Sequence, residues 1–272
     1  MAADRPVPGG VTDGHENLNA VTLRLLCTND DGVEAHGLRV LVSAAAELGS
    51  VRVVAPDRQQ SASSHALSLH QPLLATRVDE RRYAIDGTPT DCVLIAVKAL
   101  LDRRPSFVLS GINHGPNMGE DVLYSGTVAA AMEATILGIP AVALSFVGDD
   151  PARLEDYLPT VRGLLRSLID NRPFPPETFF NVNLPDLPPD EVEGVRVTAL
   201  GRRVYDDSFT RERDEEGREV FSIGGGRSQW SGRPDSDFRA VRAGYISVTP
   251  LHLDLTNFSL IEEVRSWPLA SS

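Results

Sequence analysis

The stretch LRLLCTNDDG, residues 23–32, decides the fold. It begins as a short apolar run of the length of a buried strand and ends in a turn of polar and small residues. Between residues 37 and 49, apolar side chains recur at helical spacing and stop at Gly49. The strand pattern then returns three times: in VRVVAP (51–56), FVLSGIN (107–113) and IPAVALSF (139–146). Strands that alternate with helices are typical of βαβ units, so we predict an α/β fold with a parallel sheet.

The rest of the chain shows where this alternation continues and where it stops. TPTD (88–91) predicts a helix start, because it combines a hydroxyl cap, a proline in the first turn and an acid near the positive end of the helix dipole. Another helical stretch covers residues 154–169. Residues 202–226 are charged with a turn at Gly217, as in a projecting β-hairpin. Three further runs are read as strands: FFNVNLP (179–185), VRVTAL (195–200) and GYISVTPL (244–251).

These patterns divide the chain into three parts. Residues 1–20 have little periodicity and are expected to be a flexible leader, and residues 21–200 carry the α/β core. Residues 201–272 form a β-rich C-terminal extension that returns to the core. Its charged hairpin has little apolar surface, so we expect an arm that serves in oligomerisation. GYISVTPL needs burial, which exchange of strands between identical protomers can provide. The alternative to the arm is a hairpin folded back on its own subunit.

Composition and charge exclude several classes of protein. A chain of 272 residues with 42% hydrophobic content can bury a full core, so it is neither a mini-protein nor a disordered tail. Its formal net charge of −12 repels a nucleic acid duplex, whereas a small phosphorylated molecule can bind where a metal ion or helix end reverses the local sign. Without a membrane-spanning run or a secretory signal, the sequence predicts a cytoplasmic protein with no membrane partner. Cys27 and Cys92 lack metal or redox spacing and are expected to be reduced core thiols.

The two adjacent acids of TNDDG (28–32) are the sharpest signal for chemistry. Asp30 and Asp31 directly follow the first strand, at the sheet edge where open α/β proteins place their ligands. Like charges this close raise each other's pKa unless a cation lies beside them, which favours a hard divalent metal such as Mg²⁺ or Mn²⁺. The alternative is an acidic turn in which one carboxylate caps the following helix.

Polar loops follow the second and third strands and should open on the same edge of the sheet. DRQQSASS (57–64) offers three equivalent serine oxygens for a hard-metal shell, with a flexible hydroxyl-rich loop as the alternative. A serine nucleophile is not favoured, because the G-x-S-x-G elbow is absent. In SGINHGPNMG (110–119), Asn113 and Asn117 supply amide oxygens, which ligate hard cations without adding charge. His114 has no second His or Cys at ligand spacing and is read as an ordinary loop residue.

The next predicted helix opens with Ser125, Gly126 and Thr127. A hydroxyl, a glycine and a second hydroxyl at a helix start present backbone N–H groups and side-chain donors to an anion, with the helix dipole assisting. The alternative is a plain N-cap at Ser125. The diacid, the hydroxyl loop, the amide loop and this helix start all fall at the carboxyl ends of predicted parallel strands. Together they describe a metal-assisted phosphate site.

Five motifs, in order along the chain, resemble the survival protein E (SurE) family of nucleotidases: TNDDG, APDRQQSASSHALSLHQPL, DGTPTDCV, SGINHGPNMGEDVLYSGTVAAAMEA and GYISVTPLHLDLTN. The resemblance extends over residues 23–258. It implies a Rossmann-like, mostly parallel sheet flanked by helices, and one divalent metal ion per subunit, Mg²⁺ or Mn²⁺. It further implies hydrolysis of nucleoside 5′- and 3′-monophosphates and a homodimer or homotetramer joined by C-terminal extensions. The leader is longer than the family's, and the hairpin around residues 205–220 matches no family motif.

The resemblance also assigns roles to residues. It selects Ser61 from the three serines, and the implied metal ligands are Asp30, Asp31, Ser61 and Asn113. The implied phosphate contacts are Asn117, Ser125, Gly126 and Thr127. We therefore expect a metal-dependent phosphomonoesterase, a 5′/3′-nucleotidase, with Asp30 and Asp31 as catalytic residues. Water is the expected nucleophile, because adjacent acids replace the D-x-D spacing of a phosphoaspartyl hydrolase.

Two functions of other classes stay open on the bare sequence. A receiver-like phosphoacceptor module also places an acid pair after its first strand, but it needs an acceptor aspartate after the third strand, where this chain has Asn113. A non-catalytic nucleotide sensor could keep all the binding loops. Repeated release of phosphate from a nucleoside monophosphate separates an enzyme from both.

Overall fold

A computed structural model describes residues 23–204, 209–223 and 229–269 of the chain, so the predicted leader, residues 1–20, lies outside the described residues. The strands are β1 (Arg24–Thr28), β2 (Ser50–Pro56), β3 (Ala75–Arg77), β4 (Arg82–Ile85), β5 (Phe107–His114), β6 (Ala141–Phe146), β7 (Thr178–Leu184), β8 (Gly194–Val197), β9 (Arg202–Val204), β10 (Phe209–Arg213), β11 (Glu219–Ile223), β12 (Gln229–Ser231) and β13 (Tyr245–His252). The helices are α1 (His36–Ala46), α2 (Pro89–Ile95), α3 (Gly126–Ile136), α4 (Leu158–Asp170), α5 (Asp237–Arg242) and α6 (Phe258–Arg265).

One mixed sheet forms the centre of the molecule, in the order β3-β4-β2-β1-β5-β6-β7-β13-β8. Its strands from β4 to β7 are all parallel, whereas β3 and β13 pair antiparallel with β4 and β7. The chain passes from β1 through α1 to β2 on one side, and β5 lies on the other side of β1. The direction of winding therefore reverses between β1 and β5. Open parallel sheets bind ligands at the carboxyl ends of such strand pairs.

Helices cover both faces of this sheet, which confirms the predicted α/β architecture. Alternate residues of β1 enter different cores, because successive side chains of a strand point to opposite faces. Leu25 and Cys27 pack in the cluster that contains α1 and α4, and Leu26 packs in the cluster that contains α2 and α3. These three side chains are at most 1% exposed. Burial on both faces explains why this strand is an uninterrupted apolar run.

The helix boundaries follow from local chemistry. Thr88 caps α2 as predicted: its hydroxyl oxygen accepts the N–H of Asp91, and the Asp91 carboxylate accepts the N–H of Thr88. The helical stretch predicted over residues 154–169 is divided. A short 3₁₀ turn covers Pro151–Glu155, and α4 begins only at Leu158. A proline in the first turn suits both starts, since its missing N–H has no intrahelical partner there.

The C-terminal third of the chain returns to the central sheet and also forms two small strand pairs outside it. β13, the GYISVTPL segment, lies inside the central sheet between β7 and β8, where Ile246 and Val248 are buried against the same chain. In the single chain described, this strand is therefore part of the chain's own central sheet. The predicted hairpin is present as β10 and β11, which pair antiparallel around the turn at Gly217. β9 and β12, which flank this hairpin in the sequence, form a second antiparallel pair.

Two further observations complete the fold. Cys27 and Cys92 are both free and buried, as predicted, and burial raises the pKa of the Cys27 thiol to about 12. Within the described residues, none of the helices combines the length and the apolar character needed to cross a bilayer.

Candidate functional site

Three loops and one helix start meet at the carboxyl ends of β1, β2 and β5, and we call this region the ligand edge. The backbone N–H of Gln60, in the serine loop after β2, donates to the carbonyl oxygen of Asp30 at 2.7 Å. The backbone N–H of His114, at the end of β5, donates to a carboxylate oxygen of Asp31 at 3.2 Å. The Thr127 hydroxyl donates to a carboxylate oxygen of Asp30. The predicted convergence of these segments on the diacid is confirmed.

The two carboxylates differ in their surroundings. Asp30 is 4% exposed, and burial is the main cause that raises its pKa to about 6. Hydrogen bonds from Thr127 lower this pKa, whereas the neighbouring charge of Asp31 raises it. Burial also raises the pKa of Asp31, and the hydrogen bond from the His114 N–H opposes that rise. Neither carboxylate forms an ion pair with a lysine or arginine within the described residues.

The start of α3 lies against Asp30 with no room for a side chain at Gly126. A Cβ on Gly126 would lie 2.9 Å from the Cβ of Asp30 and 2.8 Å from the hydroxyl oxygen of Ser63. Ser125 caps the helix, because its hydroxyl oxygen accepts the N–H of Val128 at 3.1 Å. Thr127 is fully buried and bonds to Asp30. The helix start that the sequence assigns to a phosphate thus lies directly beside the acids that it assigns to a metal.

The two remaining ligands of the predicted metal shell lie in the loops that contact the acids. Ser61 is exposed on the serine loop, next to Gln60, and its hydroxyl oxygen accepts a hydrogen bond from Gln59 Nε2 at 2.8 Å. Asn113 precedes His114 at the end of β5, and its amide nitrogen donates to the carbonyl oxygen of Gly115 at 2.8 Å. This contact uses the nitrogen of Asn113 and turns it away from a cation. The side-chain oxygen is the atom suited to a metal.

Asn117 is held by a network of buried amides. Its backbone N–H donates to Asn183 Oδ1 at 2.9 Å, and its side-chain nitrogen donates to Ser145 Oγ at 2.8 Å. Its carbonyl oxygen accepts hydrogen bonds from the side-chain nitrogens of Asn181 and Asn183. One hydrogen of the Asn117 amide group is therefore engaged with β6, and the second is available to another acceptor.

The sequence reasoning missed the residues that position Asn117. Asn181 and Asn183 are fully buried on β7, and their spacing by two in FFNVNLP is a signal, since it places both amides on one face of a buried strand. Asp237 is also fully buried, at the start of α5, and its carboxylate accepts the N–H groups of Gly119, Gly201 and Phe238. No local pattern marks Asp237, because its partners are distant in sequence.

Ser63 is a second residue that spacing did not single out. Its hydroxyl oxygen is buried without a hydrogen-bond partner in the described residues, and it lies beside Gly126. Buried polar atoms are nearly always paired, with protein or with water, so an unpaired hydroxyl beside a helix start indicates room for a further polar group.

The donor set at the ligand edge suits a hard cation. All the available ligands are oxygens: two carboxylates, a serine hydroxyl and an amide, the kinds of atom that Mg²⁺ and Mn²⁺ prefer. A cation would also give the Asp30 and Asp31 carboxylates a positively charged partner, since neither pairs with a lysine or arginine within the described residues. The described residues contain no group of three or more His, Cys, Asp or Glu arranged to hold a metal. A metal at this edge therefore depends on the serine and asparagine oxygens as well as on the two acids.

Comparisons with known proteins show what this chain is similar to. Residues 25–207 match the family model described as survival protein SurE. The 5′-nucleotidase SurE of Gemmatimonas aurantiaca is 59% identical over 248 residues, which cover 90% of this chain and 98% of that protein. The 5′-nucleotidase SurE of Methylococcus capsulatus is 45% identical over 90% of this chain and 97% of that protein. The crystal structure of the SurE protein from Aquifex aeolicus superposes with a TM-score of 0.79 at 38% identity, over 89% of this chain and 98% of that one.

Proposed function

This chain belongs to the SurE family, and we propose that it is a metal-dependent phosphomonoesterase that hydrolyses nucleoside 5′- and 3′-monophosphates to nucleoside and phosphate. The observation that carries the proposal is the convergence of the Gln60, His114 and Thr127 segments on the adjacent acids Asp30 and Asp31. The names of the relatives support a nucleotide substrate.

Asp30, Asp31, Ser61 and Asn113 would hold one Mg²⁺ or Mn²⁺ ion. When bound, such an ion supplies Lewis-acid charge to a phosphoryl oxygen and offsets the repulsion between the phosphate and an incoming nucleophile. Asp30 and Asp31 are the catalytic residues in this proposal, because they bring the two negative charges that fix the cation. The Thr127 hydroxyl and the His114 N–H orient these carboxylates from opposite sides.

The phosphate would bind between the acids and the start of α3. Asn117 offers an amide hydrogen, and Ser125, Gly126 and Thr127 offer the first backbone N–H groups of a helix whose dipole favours an anion. Fixing the phosphoryl group in this way places it in line for attack. Water, rather than an aspartate, is the proposed nucleophile, because adjacent acids replace the D-x-D spacing of a phosphoaspartyl hydrolase and the Asp30 carboxylate already accepts the Thr127 hydroxyl.

Assembly and location complete the proposal. We propose a cytoplasmic homodimer or homotetramer joined through the C-terminal extension. Supporting the assembly, none of the residues of α6 is buried against its own chain, although Phe258 and Leu260 are large and apolar. Such an exposed apolar face is typical of an interaction surface.

Release of inorganic phosphate tests the function. The purified chain is incubated with 5′- and 3′-nucleoside monophosphates in Mg²⁺ or Mn²⁺, and again in excess chelator. We expect many phosphates released per subunit with metal and none with chelator. Tight nucleotide binding without turnover would instead identify a sensor, and release of one equivalent of nucleoside with the phosphoryl group retained on the protein would indicate a phosphoacceptor.

A further inference from the structure

A cavity of about 330 Å³ lies at the sheet edge opposite the ligand edge. Its lining residues begin or precede the parallel strands β1, β2, β4 and β5, so it opens at the amino ends of these strands, whereas Asp30 follows the carboxyl end of β1. β1 alone separates the two edges by about 15 Å, at 3.3 Å per residue. A molecule in this cavity would not contact the ligand edge.

Four arginines line the cavity: Arg24, Arg52, Arg81 and Arg103. Asp102 is the one carboxylate in the lining, so the local charge is strongly positive in a chain whose net charge is −12. None of the four arginines forms an ion pair within the described residues. The guanidinium of Arg24 is oriented by its Nε, which donates to the carbonyl oxygen of Arg104 at 2.9 Å.

The floor of the cavity is apolar. Leu25 and Val51 are buried at its base, and Leu101 and Pro105 complete the lining on the side of β5. Beside this buried floor, the partly exposed Leu101 and the planar guanidinium groups offer surfaces for a flat ring, and the guanidinium groups offer several bidentate donors for phosphate. The volume falls at the lower end of the range that small-molecule sites occupy.

From this geometry we infer a second ligand site, which binds a small molecule that combines a flat ring with two or more phosphoryl groups, such as a nucleoside di- or triphosphate. Four guanidinium groups and one carboxylate leave three positive charges in the lining, which two or more phosphoryl groups offset more completely than one. The site needs neither the metal nor the acids of the ligand edge. The inference therefore stands or falls independently of the proposed nucleotidase activity.

Calorimetric titration of the full chain with ATP in excess chelator tests the site, since chelation removes the metal on which the ligand edge depends. We expect saturable binding with a dissociation constant on the order of 100 µM at low salt, weakening as salt rises. Inorganic tripolyphosphate should bind more weakly than ATP, and adenosine should show no binding. Equal affinity for ATP and tripolyphosphate would show that the flat ring does not contribute to binding and would contradict that part of the inference. No binding of ATP at about 5 mM would overturn the site.

Two pairs of substitutions locate the binding. Arg52→Gln with Arg81→Gln should weaken ATP binding by at least about tenfold, because two charge-assisted contacts are lost. Arg166→Gln with Arg242→Gln removes the same charge from exposed arginines that do not line the cavity, and should leave binding within about twofold. Thr127→Val changes the ligand edge and should also leave it unchanged. The inference is wrong if the control pair weakens binding equally, or if Thr127→Val abolishes it. Circular dichroism checks the fold of each variant. Arg103→Glu, which lies outside the strands, should also weaken ATP binding and is a second, independent test of the cavity.

Discussion

The ligand edge and the arm, which we define as β9 to β12, handle polar groups in opposite ways. At the ligand edge, Asp30, Asn117 and Thr127 are buried and held by specific hydrogen bonds to other segments of the chain. In the arm, the charged groups pair mostly with each other in solvent: Arg211 with Glu219, and Arg218 with Asp214, where both arginine side chains are more than half exposed. Exposed pairs of this kind contribute about 0–1 kcal/mol each.

This difference separates a region whose geometry is fixed by contacts within the chain from a region whose exposed surface can contact another molecule. Buried polar groups are costly unless paired, so the network at the ligand edge selects one arrangement. Exposed ion pairs and the unburied apolar residues of α6 do not fix one arrangement within a single chain. The first region is fixed by hydrogen bonds within the chain, whereas the second exposes surface that a partner could contact.

The two regions meet at a seam beside Asn117. The Arg203 guanidinium pairs with Asp121 at 2.6 Å, and its backbone N–H donates to the Glu120 carboxylate at 2.6 Å. Trp230 stacks on Phe238, and Asp237 binds the N–H of Gly119. The base of the arm thus holds the loop that leads from Asn117 to Ser125. The predictions below separate this seam from the two regions that it joins.

The largest effect is expected at the diacid. Asp30→Asn should lower phosphate release by at least about 10³-fold, because it removes one of two charges that hold the cation. Phosphate release with saturating Mn²⁺ measures the loss. Asp170→Asn, an exposed acid at the end of α4, is the matched control and should be fully active. Full activity of Asp30→Asn, or of the wild type in excess chelator, would contradict a metal site at the ligand edge.

The same variant makes a prediction about stability without metal. Burial raises the pKa of Asp30 in the folded state from the ordinary 3.8 to about 6, so the buried carboxylate destabilises the fold once it ionises. In chelator, the free energy of unfolding of the wild type should therefore fall as the pH rises from about 4 to 6, relative to Asp30→Asn. Denaturant titrations at several pH values measure this difference. A variant that is less stable than the wild type at pH 7 would show that the Thr127 hydrogen bond outweighs the burial of the charge.

The second effect concerns the helix start. Thr127→Val keeps the β-branched shape but removes the hydroxyl that donates to Asp30, and should lower kcat by on the order of 10²-fold or less. Thr135→Val on the same helix is the control, because the Thr135 hydroxyl donates only to the Ala131 carbonyl oxygen one turn earlier. An unchanged kcat/KM for Thr127→Val would reduce residues 125–127 to a plain helix cap.

The elements and site residues that were predictable from the sequence are those specified by residues close together in the chain. β1, β2, β5 and β6 were predictable because burial on both faces produces continuous apolar runs, and α2 because Thr88 and Asp91 form a local capping box. β3, at the sheet edge, and its neighbour β4 were missed, since strands of three and four residues that include arginine are too short to show an apolar pattern. The convergence on Asp30 was predictable from strand order, and the spacing by two of Asn181 and Asn183 places both amides on one face of β7. Gly119 and Gly201, which donate to Asp237, are distant from it in sequence, so no spacing reveals those contacts.

The third effect tests the seam. Asp237→Asn replaces a buried carboxylate that accepts three N–H groups with an amide that brings its own hydrogens among them. It should cost about 2–3 kcal/mol of unfolding free energy and lower kcat/KM about tenfold through the Asn117 loop. Denaturant unfolding and initial rates measure the two losses. Asp235→Asn, an exposed acid two residues earlier, should change neither. Lost stability with unchanged kcat/KM would confine Asp237 to the fold.

The smallest effect on catalysis is expected from the arm itself. Val204 and Gln229 are paired across β9 and β12, so a two-residue Asn-Gly turn can replace residues 205–228 and leave both strands, Arg203 and Trp230 in place. Phosphate release should stay within about threefold of the wild type, because the seam is kept, whereas light scattering should show a smaller assembly. Truncation after Thr256, which removes the unburied α6, tests the other half of the extension in the same way. A wild-type chain that is monomeric at micromolar concentration, or an assembly unchanged by both deletions, would show that the exposed arm serves no partner copy. If activity falls together with the molar mass of the assembly, the ligand edge needs a second copy of the chain. That result would contradict the claim that its geometry is fixed within one chain.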